Sequence, residues 1–125
     1  MLLLDAELSN GPYAAREARQ RVSALGTQLP ERVLSDVTLL VSELVTNSFR
    51  HAGLTEGDAI RLVVQLDSGK LRIEVVDPGT TGRPSIKGSA AEGGWGLQIV
   101  EQLADRWGTE KTAGGTTVWF ELEAV

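Results

Sequence analysis

The segment SELVTNSFRHA, residues 42–52, places Glu43, Asn47 and His51 at spacings of four. In a helix that spacing stacks side chains nearly one above another, so a carboxylate and a neutral amide oxygen can converge on one object. Such an oxygen pair suits a hard cation such as Mg2+, which keeps most of its coordination for water and phosphate oxygens. Glu43 can alternatively act as a base through a water or hydroxyl. The same spacing also describes an ordinary solvated helix face. Asp77 ends the run LRIEVVD and precedes Pro78-Gly79. It serves either as a turn former or as a fixed acceptor for an exocyclic amine, the group by which a pocket selects adenine.

Gly93-Gly94-Trp95-Gly96 leads into a helical pattern. Unpaired backbone N–H groups and the helix dipole attract anions there, and the glycines let a phosphate approach the main chain. Two better-known phosphate loops do not fit. Lys87-Gly88-Ser89 reverses the Gly-Lys order of the Walker pattern, and Gly94-Trp95-Gly96 lacks the third glycine of the dinucleotide fingerprint and follows a loop.

These residues are carried by a legible series of elements. Residues 2–8 read as a short strand. Ala14, Ala18, Val22 and Leu25 recur at helical spacing with Arg16, Arg19 and Arg21 elsewhere on the wheel, predicting an amphipathic helix over 12–28. Pro30 opens a second helix, whose face of Val33, Val37, Leu40, Val41, Leu44, Val45 and Ser48 should pack on a sheet until Gly53 stops it. IRLVVQLD (60–67) and KLRIEVVD (70–77), joined by Ser68-Gly69, predict a hairpin. Residues 78–96 are dense in glycine and lack a hydrophobic period, which marks a functional or disordered loop. A third helix over 95–106 follows, and WGTEKTA (107–113) and TTVWFELEA (116–124) supply two strands joined at Gly114-Gly115. The order β-α-α-β-β-loop-α-β-β predicts a two-layer α+β sandwich, its sheet mixed but mostly antiparallel and covered on one face by about three helices. Trp95, Trp107 and Trp119 are evenly spaced in unlike surroundings, so the spacing is read as coincidence.

The 125 residues, 42% hydrophobic, suit one domain over 1–125. The absence of cysteine and the single histidine leave neither a disulfide framework nor a zinc site to expect. No apolar run is long enough for a membrane span, and a cytoplasmic location is expected. Seventeen acidic against twelve basic residues give a net charge of −5, the wrong sign for coating nucleic acid.

ELVTNSFRHA, a strand ending in DPG, a glycine-rich segment, GGWGL opening a helix and GGTTVWFEL together resemble the ordered boxes of the Bergerat-fold (GHKL) ATPases, which include gyrase, the heat-shock chaperone ATPases and histidine kinases. The resemblance spans residues 39–122. The short first strand, the Arg-rich helix and the small size are similar to the anti-sigma regulatory factors that double as serine/threonine protein kinases. The resemblance implies ATP and Mg2+ as cofactors, Asn47 as the Mg2+ ligand and Glu43 as the general base. It also implies Asp77 on the adenine amine, Gly79 where the base approaches, Gly94, Gly96 and Leu97 around the phosphates, and Thr116 supporting Asp77 and adenine. His51 matches a frequent basic position and is read as structural. Asp77-Pro78-Gly79-Thr80-Thr81-Gly82 departs from the usual Asp-x-Gly-x-Gly by one place, so Gly82 is assigned no contact. The partners implied are a sigma factor and a small anti-anti-sigma protein of the STAS type, with a possible homodimer. Rival readings are a nucleotide-gated binding module without catalysis, an ATPase domain excised from a larger signalling protein, and a histidine-kinase catalytic domain acting on another protein's histidine.

Overall fold

The computed structural model describes residues 1–9, 13–51, 59–78, 100–112 and 115–124, without the side chains of 47–51 and 112. Five strands form one sheet: β1 (Leu2–Ser9), β2 (Ala59–Asp67), β3 (Lys70–Asp77), β4 (Arg106–Thr112) and β5 (Gly115–Glu123), in the spatial order β1-β2-β3-β5-β4. Every described pairing is antiparallel, so the expected α+β sheet is present without a parallel pair among the described residues. Helices α1 (Ala14–Ser23) and α2 (Glu31–His51) supply the second layer.

Strict alternation along the strands explains the layering. In β3, Leu71, Ile73, Val75 and Asp77 are buried while Arg72, Glu74 and Val76 face the other way. Their partners in β5, Leu122, Phe120, Val118 and Thr116, are buried on the same face. On this face α2 lays Val33, Val37, Leu40, Val41, Leu44 and Val45, all buried as the 3.6-residue period predicts. Ser48, expected to extend that face, has its side chain outside the described residues. Fully burying each such aliphatic contributes about 1.5–3 kcal/mol before entropy is counted.

Helix α1 buries Ala14, Ala18 and Val22 and leaves Arg16, Arg19 and Arg21 exposed. It is shorter than the expected 12–28. After Ser23 the chain tightens into i→i+3 turns, with the Leu25 and Gly26 amides donating to the Val22 and Ser23 carbonyls, because Gly26 and Thr27 support a helix poorly. Leu25 and Leu29 are nonetheless buried in the same core. Glu17 ties α1 to the sheet, its Oε1 accepting from the Ser9 amide at 3.1 Å.

The expected third helix over 95–106 is described only at residues 100–103, where it is helical, and it ends earlier than expected. Sheet pairing wins over helix period here: the Asp105 amide donates to the Glu121 carbonyl, and Arg106 already opens β4 opposite Glu121. The 12-residue tryptophan spacing carries no repeat, since Trp107 and Trp119 lie on opposite faces of the sheet. Trp107 packs against the core, whereas Trp119 lies on the outer face opposite Gly108.

That outer face is covered by its own side chains. Arg72 stands 4.3 Å above the Trp119 ring and reaches Glu74 and Glu121, each at 3.1 Å. Trp119 in turn lies over Gly108, where an added Cβ would come within 2.8 Å of its ring. Further along, Arg61 Nε donates to Asp5 Oδ1 at 2.9 Å, a bond that holds the Asp5 carboxyl below its usual range.

The β2–β3 hairpin turns through Ser68 at φ 52° and Gly69 at φ 80°, the doubly left-handed arrangement that a two-residue loop uses to match strand twist. Serine is poorly suited to its position. Replacing Ser68→Asn is expected to raise the unfolding free energy by roughly 0.5–1 kcal/mol, read as an increased urea midpoint at unchanged m-value.

Candidate nucleotide-binding site

Two polar side chains interrupt the apolar inner face, and they are neighbours. Asp77, 4% exposed, ends β3, and Thr116, 3% exposed, is the second residue of β5 and stands directly opposite it in the register. They are the buried polar residues of the described core. Thr116 Oγ1 is enclosed yet finds no hydrogen-bond partner among the described residues. A hydroxyl left so costs about 1–3 kcal/mol, which marks the position as one where stability has yielded to another requirement. Lys111 of β4 pairs with Thr116 in turn, so the three residues form one row across the end of β3, β5 and β4.

The close approach of β5 to Asp77 depends on Gly115. Its φ is +140°, and a Cβ there would sit 1.9 Å from the Asp77 carbonyl oxygen and 2.8 Å from the Pro78 Cα. Any side chain would force the strand start away from Asp77 and pull Thr116 out of register. Spacing alone did not flag this residue. Its signal was the Gly114-Gly115 pair immediately before a β-branched run.

Glu43 lies on α2, half-buried, and is flanked by the buried pair Leu44 and Val45. α2 contacts β3, so the helix bearing Glu43 packs against the strand that ends in Asp77. Asn47 lies in the same helix one turn on, as expected, with its side chain outside the described residues. Gly79, Gly94, Gly96 and Leu97 also lie outside them. The structure therefore brings Asp77 and Thr116 together and seats Glu43 and Asn47 on the expected helix.

The sequence profile of the histidine kinase-like ATPase domain matches residues 8–122. The chain belongs to that family. An uncharacterized protein of Streptomyces coelicolor is 35% identical over 74 residues, 57% of this chain and 70% of its own length. The blue-light activated histidine kinase of Erythrobacter litoralis EL346 superposes with a TM-score of 0.61 at 26% identity, over 77% of this chain and 32% of the kinase. The histidine kinase domain of that protein gives 0.62 at 22% identity over 88% of this chain, which spans 60% of that domain structure. The Acinetobacter baumannii histidine kinase AdeS gives 0.57 at 10% identity over 99% of this chain and 69% of its own, a likeness of fold alone.

Histidine kinase-like ATPase domains bind ATP with Mg2+. The Asp77–Thr116 pair fits that chemistry. A purine edge offers amine donors and ring-nitrogen acceptors, and a buried carboxylate beside a hydroxyl of unspent capacity can meet both.

Two substitutions separate the role of the Thr116 hydroxyl from that of the Gly115 backbone. Thr116→Val deletes the orphaned hydroxyl while preserving shape and β propensity, and should stabilise the ligand-free domain by about 1 kcal/mol in urea unfolding. Gly115→Ala should destabilise it by on the order of 2–4 kcal/mol in the same measurement, since backbone has to move to admit the methyl.

Proposed function

We propose that this histidine kinase-like domain, acting as one unit over 1–125, binds ATP with Mg2+ and transfers phosphate to a serine or threonine of a protein partner. The observation that carries the reading is the buried Asp77–Thr116 pair with its unspent hydroxyl at the end of an otherwise apolar face. In this reading Asp77 accepts from the adenine amine and Thr116 shares the adenine-facing hydrogen bonds. Gly79 lets the base approach, and Gly94, Gly96 and Leu97 present backbone amides to the phosphates at a helix start. Asn47 holds Mg2+, which when bound neutralises phosphate charge.

Glu43 then takes the proton of the acceptor hydroxyl. The hydroxyl oxygen bonds to the γ-phosphorus as the bond from that phosphorus to its bridging oxygen breaks, and ADP departs. The Arg-rich first helix supports an anti-sigma regulatory role, with a sigma factor sequestered and a STAS-type anti-anti-sigma protein as the phosphate acceptor, the chain working as a homodimer. Among the described residues no helix is long and apolar enough to cross a membrane, in keeping with a partner in the cytoplasm.

A second reading has its own support. The 26% identical superposition on a histidine kinase favours transfer to a histidine of another protein. Phosphohistidine is acid-labile and phosphoserine is not, so the two acceptors separate on acid treatment of the labelled partner.

Calorimetry should show Mg2+-dependent ATP binding. Asp77→Asn and Thr116→Val should each weaken it by roughly tenfold or more, since one adenine-facing bond is lost in each. Asn47→Ala should remove the Mg2+ dependence. Glu43→Ala should bind ATP normally yet transfer phosphate about 100-fold more slowly or worse. No heat with millimolar ATP would remove the nucleotide reading, and full transfer by Glu43→Ala would assign the base elsewhere.

A further inference from the structure

On the side of α2 turned away from the sheet lies a groove of about 420 Å³, closed at one flank by α1. Leu34, Ser35, Thr38 and Leu39 line its middle, Glu31 one end, and Arg19 with Ser42 the other. Leu39 is 44% exposed and Leu34 half-buried, unlike the six aliphatics that α2 buries against the sheet. The Thr38 hydroxyl is turned back onto the Leu34 carbonyl at 2.7 Å, which leaves the exposed Ser35 hydroxyl as the polar group of the middle. Arg19 reaches across from α1 to Ser42 Oγ at 2.9 Å. Among the described residues it pairs with no carboxylate, although the chain is acidic overall.

The groove is thus mostly apolar in the middle, cationic at one end and anionic at the other. Glu31 and Ser42 are eleven positions apart, roughly 16 Å along α2 at the helical rise. That is the length of about three turns of a second helix. We infer that the α1–α2 groove receives an amphipathic helix of a partner protein, with an aliphatic stripe facing Leu34 and Leu39, a carboxylate at Arg19 and a basic residue at Glu31.

Orientation follows from the same charges. A helix favours acidic residues in its first turn and basic ones in its last. The docked helix therefore starts at Arg19 and Ser42, ends at Glu31, and runs antiparallel to α2. At 100° per residue Glu31, Leu34, Thr38 and Ser42 lie roughly 120–160° around α2 from Glu43 and Asn47, while Leu39, one turn before Glu43, stands where the groove borders that stripe; the docking surface rests on its own lining and not on ATP.

The test uses two stapled helical peptides of about fourteen residues with leucines at i, i+3, i+4 and i+7. One carries glutamates in its first turn and lysines in its last; the other exchanges them. Fluorescence anisotropy should show the full chain binding the first at least about tenfold more tightly. The double variant Arg19→Glu with Glu31→Lys should invert the preference. Leu39→Glu should weaken both peptides with an unfolding midpoint unchanged within about 2 °C, the position being exposed. Equal affinity for the two peptides, binding to neither, or a failure to invert would overturn the assignment. So would a concentration-dependent dimer that Leu39→Glu dissolves, because a second copy would then fill the groove.

Discussion

The register of β5 against β3 is the constraint on which the molecule turns. It sets Phe120 opposite Ile73 and Val118 opposite Val75 on the helix-covered face, and the same two-residue period carries Thr116 to Asp77 at the edge of that face. A slip of one residue would invert every side chain of β5, exposing Phe120 and placing Trp119 in the core. Core and candidate site are therefore fixed by one choice of pairing, and Gly115 makes that choice sterically possible.

The outer face holds the register from the other side. Arg72 binds carboxylates on its own strand and on β5 while stacking on Trp119, and Trp119 covers Gly108 of β4. Each half-buried ion pair contributes little alone, but a planar guanidinium shared by two carboxylates and an aromatic ring has few alternative arrangements. Three strands are locked across one row of side chains, which leaves the inner face free to be almost wholly aliphatic.

Most of the framework was legible because its periods are clean. The β2–β3 hairpin showed in Ser68-Gly69, and the packed face of α2 in Val33 through Val45. Helix ends were less legible because competing contacts decided them: Gly26 and Thr27 let the chain turn early after α1, and pairing with Glu121 drew Arg106 into β4. For the site, the types of Asp77 and Thr116 were visible, but their direct opposition was not, since strand order is a tertiary property. Gly115 was visible as a glycine only, its necessity coming from an oxygen 38 positions earlier in the chain. Nothing in the sequence pointed to the α1–α2 groove, because a partly exposed leucine reads like a buried one until the neighbouring helix is placed.

Helix α2 carries three distinct faces: aliphatics against the sheet, Glu43 and Asn47 on one flank, and the Leu34–Leu39 groove on another. A rod seated in this way has no freedom to roll, because turning by even one position would drive a polar or charged group into the aliphatic layer. Whatever mechanical signal passes along it has to travel as sliding or tilting of the whole rod. Its stroke is then limited by how far six seated aliphatic side chains can shift before they lose their sockets.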